Sequence, residues 1–166
     1  GAIIDTVTIT RAHRGKAGEL FTGLKNIDYQ RLYVPKGSLL ISAEGYEAPG
    51  VGYFLPPDDT LQPSTLLTAV QGAVTTDAKS GTTIHDESGL TVFGNWIQTT
   101  PGETKSVKIS YRLPFSLDDL ASHPETWIER AALALGAYAP TAEMRLIVQK
   151  QPGAPPRTFE SRMVFP

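Results

Sequence analysis

From Lys105 to Leu113 the chain alternates strictly. Val107, Ile109, Tyr111 and Leu113 fall on one side, and Lys108, Ser110 and Arg112 on the other. A period of two over this length describes a strand with one buried and one wet face. Pro101-Gly102-Glu103-Thr104 opens it as a turn. Pro114 has no N–H to give a ladder and is expected to end it. Ile3 to Thr10 shows the same grammar, with Ile3, Asp5, Val7 and Ile9 on one face and Ile4, Thr6, Thr8 and Thr10 on the other. Arg11 to Lys25 is polar, carries Gly15, Gly18 and Gly23, and reads as a long loop. Tyr29 to Val34 is the next strand, closed by Pro35-Lys36-Gly37, where Pro presets one dihedral and Gly supplies a positive one. Ser38 to Ala43 follows as a strand, so the two form a hairpin or a tight corner.

The remaining segments are patterned less strongly. Val51 to Leu55 reads as a short strand ended by Pro56-Pro57. Pro63 to Gln71 reads as a short helix, with Pro in its first turn and Gly72 where a cap belongs. Ala73 to Ser88 is turn-rich. Leu90 to Thr99 is a strand holding Val92, Phe93, Trp96 and Ile97, with Gly94 as a bulge or a point of close approach. Between Ser116 and Ala139 the β pattern breaks. Trp127, Ala131 and Leu135 recur every four residues, which predicts a helix from about Pro124 to Leu135, ended by Gly136. Glu143 to Lys150 and Arg157 to Phe165 read as two more strands joined by Gln151 to Pro156.

These elements lack the β–α–β alternation of a parallel sheet. They predict a mainly β fold: an antiparallel Greek-key, immunoglobulin-like β-sandwich with a helical insertion near residues 116–139, over a single domain of residues 1–166. A decorated open barrel is the alternative. A chain of 166 residues buries about 70% of its unfolded surface and needs no staples.

Composition narrows the function. Fifteen Lys and Arg against 17 Asp and Glu leave a net charge of −2. A nucleic-acid partner is not expected, because phosphate neutralisation calls for a basic excess. No stretch approaches the run of about 18 apolar residues that a membrane span needs. Cysteine is absent, which removes disulfides, thiolate nucleophiles and cysteine-based zinc sites. The chain does not begin with Met and enters a strand almost at once. It is expected to be an excised domain, with any anchor or signal sequence outside it and no membrane contact of its own.

No motif spells out catalysis. The nucleophile elbow, the phosphate-binding loop and the dinucleotide fingerprint are all missing. His13, His85 and His123 lack partners at metal-ligand spacing beyond His85 with Asp86 and Glu87, whose side chains project apart. Asp58-Asp59, Asp86-Glu87 and Asp118-Asp119 read as turn carboxylates or helix-start charges. A polysaccharide hydrolase or transferase would need two of them to converge in the fold. No catalytic residue, metal ligand or cofactor is therefore assigned. The candidate ligand-binding residues are Tyr29, Arg31 and Tyr33. They share one face of their strand, and if Leu32 and Val34 face the core they form an exposed stripe able to stack on sugar rings or a partner. Trp96 and Trp127 are expected to be core and docking residues, Trp127 anchoring its helix to the sandwich.

Four segments carry a resemblance. They are Asn26 to Ser38 with Leu39 to Ala43, Val92 to Trp96, Pro101 to Pro114, and Gln149 to Gly153. Spread in order over nearly the whole chain, they resemble the C-terminal β-domain of a family of bacterial membrane-anchored envelope proteins of unknown function. The upstream part of that family is distantly similar to the LytR-CpsA-Psr group, which transfers lipid-linked polymers to the cell wall. The resemblance implies an extracytoplasmic domain at the cell surface, tethered through an anchor outside this chain. Its implied partners are the upstream domain of the same protein and cell-wall polysaccharide. It supplies no catalytic residue.

Overall fold

The structure, a computed structural model, describes residues 1–55, 60–62, 64–121, 123–137 and 141. It has two compact units, Gly1–Leu120 and Ala121–Pro166.

The first unit is mainly β. Its strands are β1 (Ala2–Ala12), β2 (Asn26–Pro35), β3 (Leu39–Glu44), β4 (Thr75–Thr76), β5 (Thr83–Glu87), β6 (Leu90–Thr99) and β7 (Thr104–Ser116), with short helices α1 (Thr65–Gln71) and α2 (Leu117–Leu120). They form two antiparallel sheets, one in the order β1-β7-β3 and the other β2-β6-β5-β4. The core lies where the inner faces meet. Val34 and Phe93 come from the four-stranded sheet and Ile109 and Tyr111 from the three-stranded one, with Val7, Leu32, Leu40 and Ile84 packed around them. The Phe93 and Tyr111 rings meet at 5.8 Å. The alternation in β7 is realised as read: Val107, Ile109 and Tyr111 are buried, while Lys108 and Arg112 are exposed.

Pairing explains where the elements depart from the sequence reading. Pro35-Lys36-Gly37 is a corner, since β2 and β3 belong to different sheets. Gly37 sits at φ 89°, and its N–H donates to the Thr91 hydroxyl at 3.0 Å. Pro114 does not end β7, which continues to Ser116. Ile4 faces Arg112 but Ala2 faces Ser116, so the ladder is irregular around Pro114 and does not call on its missing N–H. Val51 to Leu55 forms turns and bends rather than a strand, with Gly52 at φ 86°. The turn-rich stretch after Ala73 contains β4 and β5. Its connecting loop is pinned by Asp77, which accepts from the Ser80 N–H at 2.8 Å and the Ser80 hydroxyl at 2.6 Å. Buried Asn95 holds the same loop by donating to the Ser80 carbonyl and the Thr82 hydroxyl.

In the second unit, α3 (Trp127–Ala134) is capped by Thr126, whose hydroxyl accepts from the Glu129 N–H, while the Glu129 carboxylate accepts from the Thr126 N–H. This capping box sets the helix start three residues beyond Pro124. Trp127, expected to be a buried anchor, is 78% exposed. The strands expected over residues 143–150 and 157–165 lie outside the described residues.

Candidate functional site on the outer face of the four-stranded sheet

Leu32 and Val34 turn inward on β2, so Tyr29, Arg31 and Tyr33 point outward. The register carries this face across the sheet. Tyr29 lies opposite Trp96, Arg31 opposite Gly94 and Tyr33 opposite Val92, and Gly94 and Val92 in turn face Thr83 and His85 of β5. The three stripe residues thus share a surface with Trp96 and with Thr83, His85 and Glu87.

Two features occupy this surface. The first is a polar cluster centred on Arg31, whose guanidinium pairs with the Glu87 carboxylate and donates to Nε2 of buried His85 at 3.1 Å. The Tyr33 hydroxyl donates to the other Glu87 oxygen at 3.0 Å. The Arg31 guanidinium also stands 5.2 Å from the Tyr33 ring centre. Desolvation pushes the Glu87 carboxyl up. The hydrogen bonds from Arg31 and Tyr33 outweigh it and hold the group below the usual carboxylate range. Desolvation, and then the bond to Glu87, push the Tyr33 hydroxyl up. Because Arg31 only donates, His85 accepts at Nε2, and its buried Nδ1 has no partner among the described residues.

The second feature is an aromatic row. Tyr29 packs on Trp96 with ring centres 4.7 Å apart, Trp96 on Phe54 at 5.4 Å, and Phe54 on Tyr53 at 5.4 Å. Tyr53 and Phe54 arrive from the segment after β3. Glu47 in that segment donates its N–H to the Trp96 carbonyl at 2.9 Å, and buried Gln98 donates to the Ala48 carbonyl at 2.8 Å. Tyr29 is 36% exposed, Tyr53 55% and Phe54 53%, so the row is open to a ligand. The arrangement sets planar apolar rings beside fixed hydrogen-bond donors and acceptors.

Sequence reasoning placed Tyr29, Arg31 and Tyr33 together and outward, but missed Thr83, His85, Glu87, Tyr53 and Phe54. The alternation of Thr83, His85 and Glu87 around Ile84 was the available signal. Trp96, read as core, is half-buried in the aromatic row.

The other candidates are dispersed. His13 is a loop clamp: Nδ1 accepts from the Gly15 N–H at 3.2 Å and Nε2 donates to the Leu24 carbonyl at 2.8 Å. Asp86 and Glu87 project to opposite faces, Asp86 toward Thr91 and Lys36. Asp119 accepts from the Ser116 N–H and hydroxyl at the start of α2, and Asp118 meets the terminal amine at 3.0 Å. His123 is exposed, and Asp58-Asp59 lies outside the described residues. Among the described residues no three His, Asp or Glu side chains gather as a metal site, and no helix is long and apolar enough to cross a membrane.

Compared with family models, curated proteins and solved structures, the chain finds no match.

Proposed function

We propose that this domain is a non-enzymatic, extracytoplasmic accessory module of a bacterial cell-envelope protein, and that it binds glycan on the outer face of its four-stranded sheet. The observation that carries the reading is the exposed row Tyr29–Trp96–Phe54–Tyr53 beside the Arg31–Glu87–Tyr33 cluster. A sugar ring offers an apolar C–H face and a rim of hydroxyls. Aromatic faces match the first, and fixed donors and acceptors match the second. The four segments that resemble the envelope family supply the setting. In it the upstream domain and cell-wall polysaccharide are the partners, and neither nucleic acid nor a cofactor is required. The finer fold is an immunoglobulin-like Greek key, supported by the connections β1–β2, β2–β3 and β6–β7, each of which crosses between the sheets.

The test is cosedimentation of the purified domain with cell-wall sacculi, with and without their attached polysaccharide. Binding that disappears on stripping, and that Trp96→Ala or Tyr33→Ala abolishes in a folded domain, is the expected result. Absence of binding to both preparations overturns the glycan reading.

A further inference from the structure

The loop between β1 and β2 presents large apolar side chains that the first unit does not cover. Leu20 is 80% exposed, Phe21 90% and Leu24 75%. The loop is nonetheless tied internally. The Glu19 carboxylate accepts from the Lys16 N–H at 3.1 Å and the Thr22 hydroxyl at 2.8 Å. These bonds, the backbone one first, hold it below the usual carboxylate range. Gly23 donates to the Glu19 carbonyl at 3.0 Å, and His13 clamps the base through Leu24. Within this frame Phe21 sits at φ 69°, a left-handed conformation that is a genuine outlier for so bulky a side chain. A strained backbone that turns a phenyl ring into solvent gives the first unit no packing in return.

From Arg11 to Lys25 the chain carries four basic side chains, Arg11, Arg14, Lys16 and Lys25, and one carboxylate, Glu19. Arg11 is paired with Asp28 and Lys25 bonds to Gln98. Arg14 and Lys16 are exposed and have no ion-pair partner among the described residues. A cleft of about 420 Å³ opens beside them, lined by Arg11, His13, Arg14, Phe21, Leu24 and Lys25. Exposed Leu20 and Phe21 share one loop with the exposed, unpaired Arg14 and Lys16, the pairing of apolar and cationic groups that an anionic bilayer takes up with its acyl chains and phosphates.

We infer that the Arg14–Lys25 loop docks on an anionic lipid surface, with Leu20 and Phe21 entering the headgroup boundary and Arg14 and Lys16 meeting lipid phosphates. This departs from the sequence expectation of no membrane contact. It does not rest on the glycan reading, which concerns the outer sheet face.

The probe is vesicle cosedimentation of the whole domain. Phosphatidylglycerol mixed with phosphatidylcholine is compared with phosphatidylcholine alone. Partition is expected only with the anionic vesicles and is expected to fall as salt rises. Phe21→Gly relieves the left-handed strain, so it keeps the fold, and it should cut partition about tenfold. Arg14→Gln with Lys16→Gln should lower it by about as much. Failure to partition into the anionic vesicles overturns the inference and leaves a protein partner as the occupant of the loop. Equal partition into both vesicle types, or an unchanged partition of Phe21→Gly, also overturns it.

Discussion

The Tyr29 ring lies across Gly94 on the neighbouring strand, and it does so because residue 94 has no side chain. A Cβ there would stand 2.8 Å from the Tyr29 Cζ and 2.7 Å from the Thr83 hydroxyl oxygen, inside contact distance of both. The open space lets Tyr29 reach over β6 and hydrogen-bond Thr83 of β5 at 2.6 Å. One tyrosine thus spans three strands and fixes the first ring of the aromatic row. The ladder through Gly94 is regular on both sides, so its role is close approach, not a bulge.

Gly94→Ala should therefore cost about 1–3 kcal/mol, as overpacking does. In a Tyr29→Ala background the same change should cost clearly less, because the clash with the ring is gone and only that with the Thr83 hydroxyl remains. Chemical denaturation of the four members of the cycle measures the coupling. Equal costs in both backgrounds would show that Tyr29 does not lie over Gly94.

The alternation in β7 sets a second expectation. Ile109 is 2% exposed at the meeting of the sheets, and Ile109→Ala should cost roughly 2–5 kcal/mol by leaving a cavity. Lys108 points to solvent, and Lys108→Ala should change stability by about 0.5 kcal/mol or less. Similar denaturation midpoints for the two variants would contradict the facing assigned here.

Tyr111 is buried and donates to Asp5 on β1 at 2.5 Å. Desolvation, followed by that bond, pushes its hydroxyl above the ordinary value of 10.0. A raised folded value stabilises the fold fully below the unfolded one, and the contribution is lost as pH climbs past it. Stability should accordingly decline above pH 10.0. Tyr111→Phe should flatten that alkaline limb while costing about 1 kcal/mol near neutrality for the lost hydrogen bond. Denaturant midpoints collected across the alkaline range report both effects, and an unchanged slope in the variant refutes the assignment.

Glu87 works in the opposite direction. Its carboxyl is held below the ordinary value of 4.5 once the Arg31 and Tyr33 bonds outweigh desolvation. The stability it contributes is complete above pH 4.5 and drains away as pH falls through the lowered folded value. Glu87→Gln should be less stable at neutral pH and less sensitive to acid. If wild type and variant lose stability in parallel on acidification, Glu87 is not the group responsible.

Legibility in the sequence followed the source of each strand's burial. β1, β2, β3, β6 and β7 alternate or run apolar, and residues such as Val107 and Phe93 announce a core by themselves. β5 does not, because Thr83-Ile84-His85-Asp86-Glu87 is mostly polar. His85 is buried beside Arg31, a partner far away in sequence. The outward stripe of Tyr29, Arg31 and Tyr33 was readable because Leu32 and Val34 fix the opposite face. The ring contacts that extend it to Phe54 depend on how the segment after β3 crosses to β6, and no local period records that. Similarly, Pro35-Lys36-Gly37 has the same chemistry in a hairpin as in a corner. Only sheet membership separates the two.

The pairing of Ala2 with Ser116 brings the two ends of the first unit side by side. Tension applied between residues 1 and 120 would load the β1–β7 ladder from its open end. Its hydrogen bonds would then break one pair after another, as a zipper opens, instead of resisting together in shear. Such a module yields at low force and shields little of what lies beyond it. The same geometry suits it to being spliced into a host loop, since entry and exit need a gap no wider than two neighbouring strands.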